Sequence, residues 1–172
     1  MDATHCTLPL YFAVKGKHSY NLVNEPDFVA AVRTAVQAVA ADYDLVAYPE
    51  SRFPFLRQLT AGLPNARELK KRTKADICAL TMASRKWSKL ERASQERAWS
   101  EMGDSFTINK VKSNQRKHYA PFIFEPVVVP AGQRVLLLDD FIMSGNTLTA
   151  MAASLDVRDY AAFGVFYQRG TD

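Results

Sequence analysis

An α/β fold, with a parallel sheet flanked by helices, is what this sequence predicts, and three observations predict it. Val135, Leu136, Leu137 and Leu138 form an unbroken apolar run, the pattern of a strand buried on both faces of a parallel sheet. That run leads through Asp139, Asp140 and a Ser144–Gly145 pair into a stretch with helical composition, Leu148 to Leu155. Along the rest of the chain, short apolar strands alternate with segments of helical periodicity, as βα units require. The 172 residues, 48% of them hydrophobic, suit one domain (1–172) with a real core. That length accommodates a five-stranded sheet with helices on both sides.

Thr7 to Val14 reads as a strand, placed at an edge because Pro9 has no N–H to give a ladder. Lys15 to His18 is a turn. Phe28, Val29, Val32, Val36 and Val39 recur at helical spacing, so Pro26 to Ala41 is an amphipathic helix. Together, residues 7–41 make a small N-terminal addition to a core of about 44–168. Asp44 to Tyr48 is a short strand, and a helix from Phe55 to Ala61 stops at Gly62 with Pro64 beyond. Ala66 to Arg72 holds the next strand, ending in the basic run Lys70, Lys71, Arg72. Ala75 to Met102 is rich in helix, with Trp87 and Trp99 read as core or interface residues. Thr107 to His118 carries Lys110, Lys112, Arg116, Lys117 and His118 without an acid, and Ser113 to Gln115 has loop composition. Pro121 to Val129 is strand-like, Pro130 to Gln133 a turn, and Tyr160 to Gln168 the last strand.

The totals exclude several classes. A formal charge of +4 accommodates anionic small molecules or nucleic acid and requires neither. Cys6 and Cys78, far apart, make neither a zinc pattern nor a disulfide framework, so a reducing cytoplasm is the expected compartment. Met1 to Pro9 lacks a basic stretch followed by an apolar one, so no signal peptide is expected. No apolar run approaches the ~18 residues of a membrane span, and no internal repeat is visible.

The chemistry concentrates at residues 139–147. A strand, a Gly-containing turn and a helix start present backbone N–H groups and the positive end of a helix dipole, which together hold phosphate. Ser144 and Thr147 add hydroxyl donors. Asp139 and Asp140 would repel a phosphate placed beside them. They suit the hydroxyls of a sugar attached to that phosphate, or the metal that accompanies it.

Asp139, Asp140, Phe141, Ile142, Met143, Ser144, Gly145, Asn146 and Thr147 resemble, position by position, the phosphoribosyl-diphosphate (PRPP) loop of the type I phosphoribosyltransferases. The resemblance implies their Rossmann-like fold, PRPP and Mg²⁺ as ligands, and transfer of phosphoribose to a base or amine with release of pyrophosphate. It assigns the 5-phosphate to Met143, Ser144, Gly145, Asn146 and Thr147. Asp139 and Asp140 receive the ribose hydroxyls, directly or through Mg²⁺. Pro49, Glu50, Ser51 and Arg52 resemble the family's pyrophosphate loop. The family's mobile flap falls within Arg85 to His118, which makes Lys110 and Lys112 flap cations. Family members are commonly dimers, so a homodimer is implied. Glu96, Arg97 and Gly103 to Phe106 are similar to a segment of the ComF-like branch, in which a strand starts near the glycine. Almost nothing follows Gln168 to build a C-terminal hood, so any hood comes from Thr7 to Val14 and its turn. Met143 stands where purine-salvage members carry an acid and cannot transfer a proton, which argues against hypoxanthine-guanine transfer. Phe141 and Asn146 also depart from the usual residues. Two classes follow: a phosphoribosyltransferase with an unassigned acceptor, or a non-catalytic binder of PRPP or a nucleotide or else a ComF-like protein tied to DNA handling.

Overall fold

The computed structural model describes residues 26–167. In chain order its elements are α1 (Pro26–Ala40), β1 (Leu45–Pro49), α2 (Phe55–Leu59), β2 (Ala66–Leu69), α3 (Lys74–Ala83) and α4 (Lys89–Ser100). A 3-10 turn (Ile108–Lys110) follows, then α5 (Ser113–Ile123), β3 (Val135–Ile142), α6 (Asn146–Leu155) and β4 (Ala161–Tyr167). Among the described residues the strands form one sheet in the order β2-β1-β3-β4, and every neighbouring pair is parallel. The strand expected at Thr7 to Val14, its turn and Cys6 lie outside the described residues. None of the described helices is long and apolar enough to cross a membrane.

β3 is the strand that the sequence made most conspicuous, and it sits between β1 and β4. Its side chains alternate between two cores, as the pleat dictates. Val135 and Leu137 join Ala47, Ile77, Tyr119 and Met151 on one face. Leu136 and Leu138 join Val46, Val36, Phe55 and Leu59 on the other. With both faces covered, no polar position is tolerated, which is why the run 135–138 is apolar throughout.

The chain leaves β1 for α2 on one face and leaves β3 for α6 on the other. The two connections therefore diverge beyond the carboxyl ends of adjacent strands. Such a reversal of strand order opens a crevice there.

Several expected boundaries are corrected. Pro121 to Val129 is not a strand: α5 runs through Pro121 to Ile123, and only Phe124 bridges to Lys71, antiparallel. Tyr119, Ala120 and Ile123 are buried along one side of α5, a spacing that the following apolar residues disguise as a strand. Pro121 lies in the last turn of α5, where it has no N–H to give the Lys117 carbonyl. Ser113 to Gln115 is likewise no loop but the first turn of α5, and it carries the buried Gln115. Gly103 to Phe106 forms no strand, and Phe106 instead buries its ring against Tyr119, with centroids 5.2 Å apart. β2 stops at Leu69, so Lys70 to Arg72 leave the sheet. β3 continues to Ile142, which puts both aspartates inside the strand rather than in the turn after it. The sheet has four strands among the described residues. Trp87 is buried and Trp99 half-buried, donating from Nε1 to the Tyr119 hydroxyl at 3.1 Å.

Candidate functional site

A cleft of about 480 Å³ lies where β1 and β3 diverge. β3 supplies its floor: Asp139 and Asp140 are 6% and 8% exposed, and both line the cleft. Asp139 Oδ1 accepts the Asp140 backbone N–H at 2.9 Å, which orients one carboxylate from within the strand itself.

The turn after β3 forms one wall, with Met143, Ser144, Gly145, Asn146 and Thr147 all on the cleft. Gly145 has φ +68 and ψ 2, the left-handed conformation that a residue without Cβ adopts at little cost. As the N-cap of α6 it has no side chain with which to cap, so the first-turn amides receive no acceptor from it. A 10-residue helix thus begins at the cleft with donors to offer and a favourable dipole. Asn146 Nδ2 donates to Ser144 Oγ at 2.8 Å and to Asn109 Oδ1 at 3.4 Å, bracing the turn from both sides. Met143 is 53% exposed at the rim.

The opposite wall comes from the loop after β1. Glu50 and Ser51 line the cleft. The Glu50 N–H donates to the Leu69 carbonyl at 2.9 Å, and Glu50 Oε2 accepts the Lys71 N–H at 3.0 Å. Those two bonds tie the loop to the end of β2. Ser51 Oγ accepts the Phe53 N–H at 3.2 Å. Arg52 is exposed and donates to Ser105 Oγ at 3.0 Å. It lines a groove adjoining the cleft rather than the cleft itself.

Lys71 is the cation that the cleft does contain. Lys71 is exposed overall, and its ammonium donates to the Phe106 carbonyl at 2.6 Å. Burial of that ammonium lowers its pKa, and the charge of Arg52 lowers it further against the opposing pull of Glu50. The basic run 70–72 was legible in the sequence, but which lysine faces the cleft depends on where β2 ends. The roof, Phe106 to Asn109, falls within the stretch expected as the flap, but not at the lysines singled out there: Phe106 stacking on a tyrosine of α5 places it.

Lys110 and Lys112 are not brought to the cleft. They line a separate groove along α4 with Leu90 and Arg97, and Lys110 Nζ is hydrogen-bonded to the Glu101 carbonyl. Glu96 and Arg97 are exposed on α4.

The described residues contain no group of three or more His, Cys, Asp or Glu side chains gathered as a metal site. Asp139 and Asp140 nevertheless suit Mg²⁺, which characteristically takes one or two carboxylates and completes its shell with water and substrate phosphate oxygens. A scan against protein-family models and a search of curated proteins each return no match.

Proposed function

We propose that the protein is a type I phosphoribosyltransferase that binds PRPP with Mg²⁺ and transfers its phosphoribosyl group to a base or amine. The observation that carries this reading is one of convergence. The carboxylate pair Asp139–Asp140, the glycine-led start of α6, the Glu50–Ser51 loop and Lys71 all line one cleft at the strand reversal. Each corresponds to one part of a sugar bearing a phosphate at one end and a diphosphate at the other.

In this reading the first-turn amides of α6, with the Ser144 and Thr147 hydroxyls, hold the 5-phosphate. Asp139 and Asp140 accept the ribose 2- and 3-hydroxyls and hold Mg²⁺, directly or through water. Glu50, Ser51, Arg52 and Lys71 meet the pyrophosphate end. The C1–oxygen bond breaks with its electron pair going to pyrophosphate, and a lone pair of the acceptor forms the new bond to C1. When bound, Mg²⁺ neutralises charge that builds on the departing pyrophosphate. Lys71 adds a cation at the same place, and its low-dielectric setting strengthens that interaction. The roof Phe106–Asn109 limits water access to C1. A homodimer, implied by the family likeness, belongs to this proposal, and sedimentation velocity tests it.

A second reading, a non-catalytic binder of PRPP or a nucleotide, is favoured by Met143. It occupies the rim position where a proton-accepting side chain would serve an acceptor, and a thioether accepts none.

Calorimetric titration with PRPP and Mg²⁺ tests the ligand. Binding by the wild type that an Asp139→Asn/Asp140→Asn variant loses supports the proposal. No binding by folded wild type, with or without Mg²⁺, removes it. Release of pyrophosphate in a screen of bases and amines then separates transferase from binder.

A further inference from the structure

A second groove, of about 820 Å³, opens off the cleft. Glu50, Ser51, Lys71, Phe106 and Thr107 line both, so the two are continuous. Four cations line the groove, Arg52, Lys71, Arg72 and Lys74, against two acids, Glu50 and Asp104.

The partners of those cations are all neutral. Arg52 donates to Ser105 Oγ at 3.0 Å and Lys71 to the Phe106 carbonyl at 2.6 Å. Arg72 Nη1 reaches the Phe122 carbonyl at 3.4 Å, and Lys74 Nζ donates to the Met102 and Gly103 carbonyls at 3.1 Å each. Among the described residues, none of the four forms an ion pair. Arg57, Arg85 and Arg134, elsewhere on the molecule, each have a carboxylate. Acid is therefore available to this protein but is not spent on these four positions.

A hydrogen bond from a cation to phosphate is roughly twice as strong as one between neutral groups. Cations resting on carbonyls and a hydroxyl exchange them readily for phosphate oxygens. Arg72 and Lys74 line the groove and not the cleft, and neither has a part in the proposed PRPP site, whereas Arg52 and Lys71 are shared with its pyrophosphate end. We propose that this groove binds an oligophosphate chain, inorganic or carried by a nucleoside triphosphate, at a site beside the cleft. Binding transfers Lys71, Lys74 and Arg52 from the 102–106 segment to the ligand and so loosens that segment.

The experiment is calorimetric titration of the full chain with sodium tripolyphosphate and, separately, ATP, without Mg²⁺ and at low and high salt. Binding that weakens with salt is expected. It should weaken at least about tenfold in Arg72→Gln/Lys74→Gln, which removes two charge-assisted contacts. It should survive in Asp139→Asn/Asp140→Asn. No binding by wild type, or equal binding by the Arg72/Lys74 variant, overturns the proposal. If that variant does not fold, hydrogen exchange of the wild type decides. Tripolyphosphate should slow exchange at 72–75 and speed it at 102–107, and no change in either sinks the idea. Equal affinity for ATP and tripolyphosphate identifies the chain alone as the ligand, whereas tighter ATP adds the nucleoside. The groove does not depend on the PRPP reading: tripolyphosphate binding without PRPP binding removes that reading and leaves the groove.

Discussion

Lys71 shows how much one residue's position matters. In the free protein its ammonium carries a burial penalty, so its pKa lies below the ordinary lysine value. Between that lowered pKa and the unfolded value of 10.5, the unfolded chain holds the proton and the folded chain does not. Lys71 therefore makes folding more favourable as pH rises through this window. Ligand affinity runs the other way, because the neutral amine no longer attracts pyrophosphate. PRPP affinity, measured by titration across alkaline pH, is expected to fall as pH rises, with the decline starting before pH 10.5 in the wild type. In Lys71→Arg that decline should be absent, because a guanidinium stays protonated. Lys71→Met should weaken PRPP at neutral pH by about tenfold, the equivalent of ~1.4 kcal/mol.

At the scale of elements, α4 is set by its first turn. Ser88 caps it, with its hydroxyl accepting from the Glu91 N–H at 3.2 Å while Glu91 Oε2 accepts from the Ser88 N–H at 2.9 Å. Glu91 also takes a hydrogen bond from Arg85 and one from Gln115 of α5 at 3.4 Å. The backbone bond from Ser88, then its hydroxyl, hold the Glu91 carboxyl down at about 2, from 4.5. The stability this gives is complete above pH 4.5 and is lost as pH falls toward 2. In acid titrations followed by circular dichroism, Glu91→Gln should lose less stability than wild type over that interval. Ser88→Ala should cost about 1 kcal/mol at pH 7. Elements differ in how plainly the sequence announces them. The apolar run of β3, the valine spacing of α1 and the glycine turn before α6 each depend on residues close in sequence, and each was legible. The end of α5 was not, because Phe122, Ile123 and Phe124 are equally apolar whether they continue a helix or open a strand. The burial of Asp139 and Asp140 within β3 was hidden too, since polar residues after an apolar run read as a turn. The site followed the same division. Residues 139–147 were visible as a local pattern, while Lys71 and the roof at 106–109 depend on packing between distant segments.

For the molecule as a whole, β3 is the shared wall of both cores. Leu137 and Leu138 are each fully buried, one on either face. Truncating either to alanine should cost 2–5 kcal/mol, the range for buried leucines. Because one strand serves both layers, the cores should also fail together. Urea unfolding of Leu137→Ala and of Leu138→Ala, followed by the fluorescence of Trp87 and Trp99 and by circular dichroism, should give coincident single transitions at lowered midpoints. Separate transitions would mean that the two layers are independent.

The strand order has a consequence for how the protein is made. β1 ends at Pro49, and its partner β3 does not begin until Val135. At roughly 5–20 residues per second, a ribosome takes on the order of ten seconds to deliver the missing neighbour. During that interval the nascent chain can pair β1 with β2 but leaves the other edge of β1 open, with Val46 and Ala47 uncovered. Such an edge is a template for wrong partners. The cleft lies on that late seam, so it is completed only once β3 and the turn after it have been made, and a chain released before then carries an adhesive half-sheet in place of a binding site.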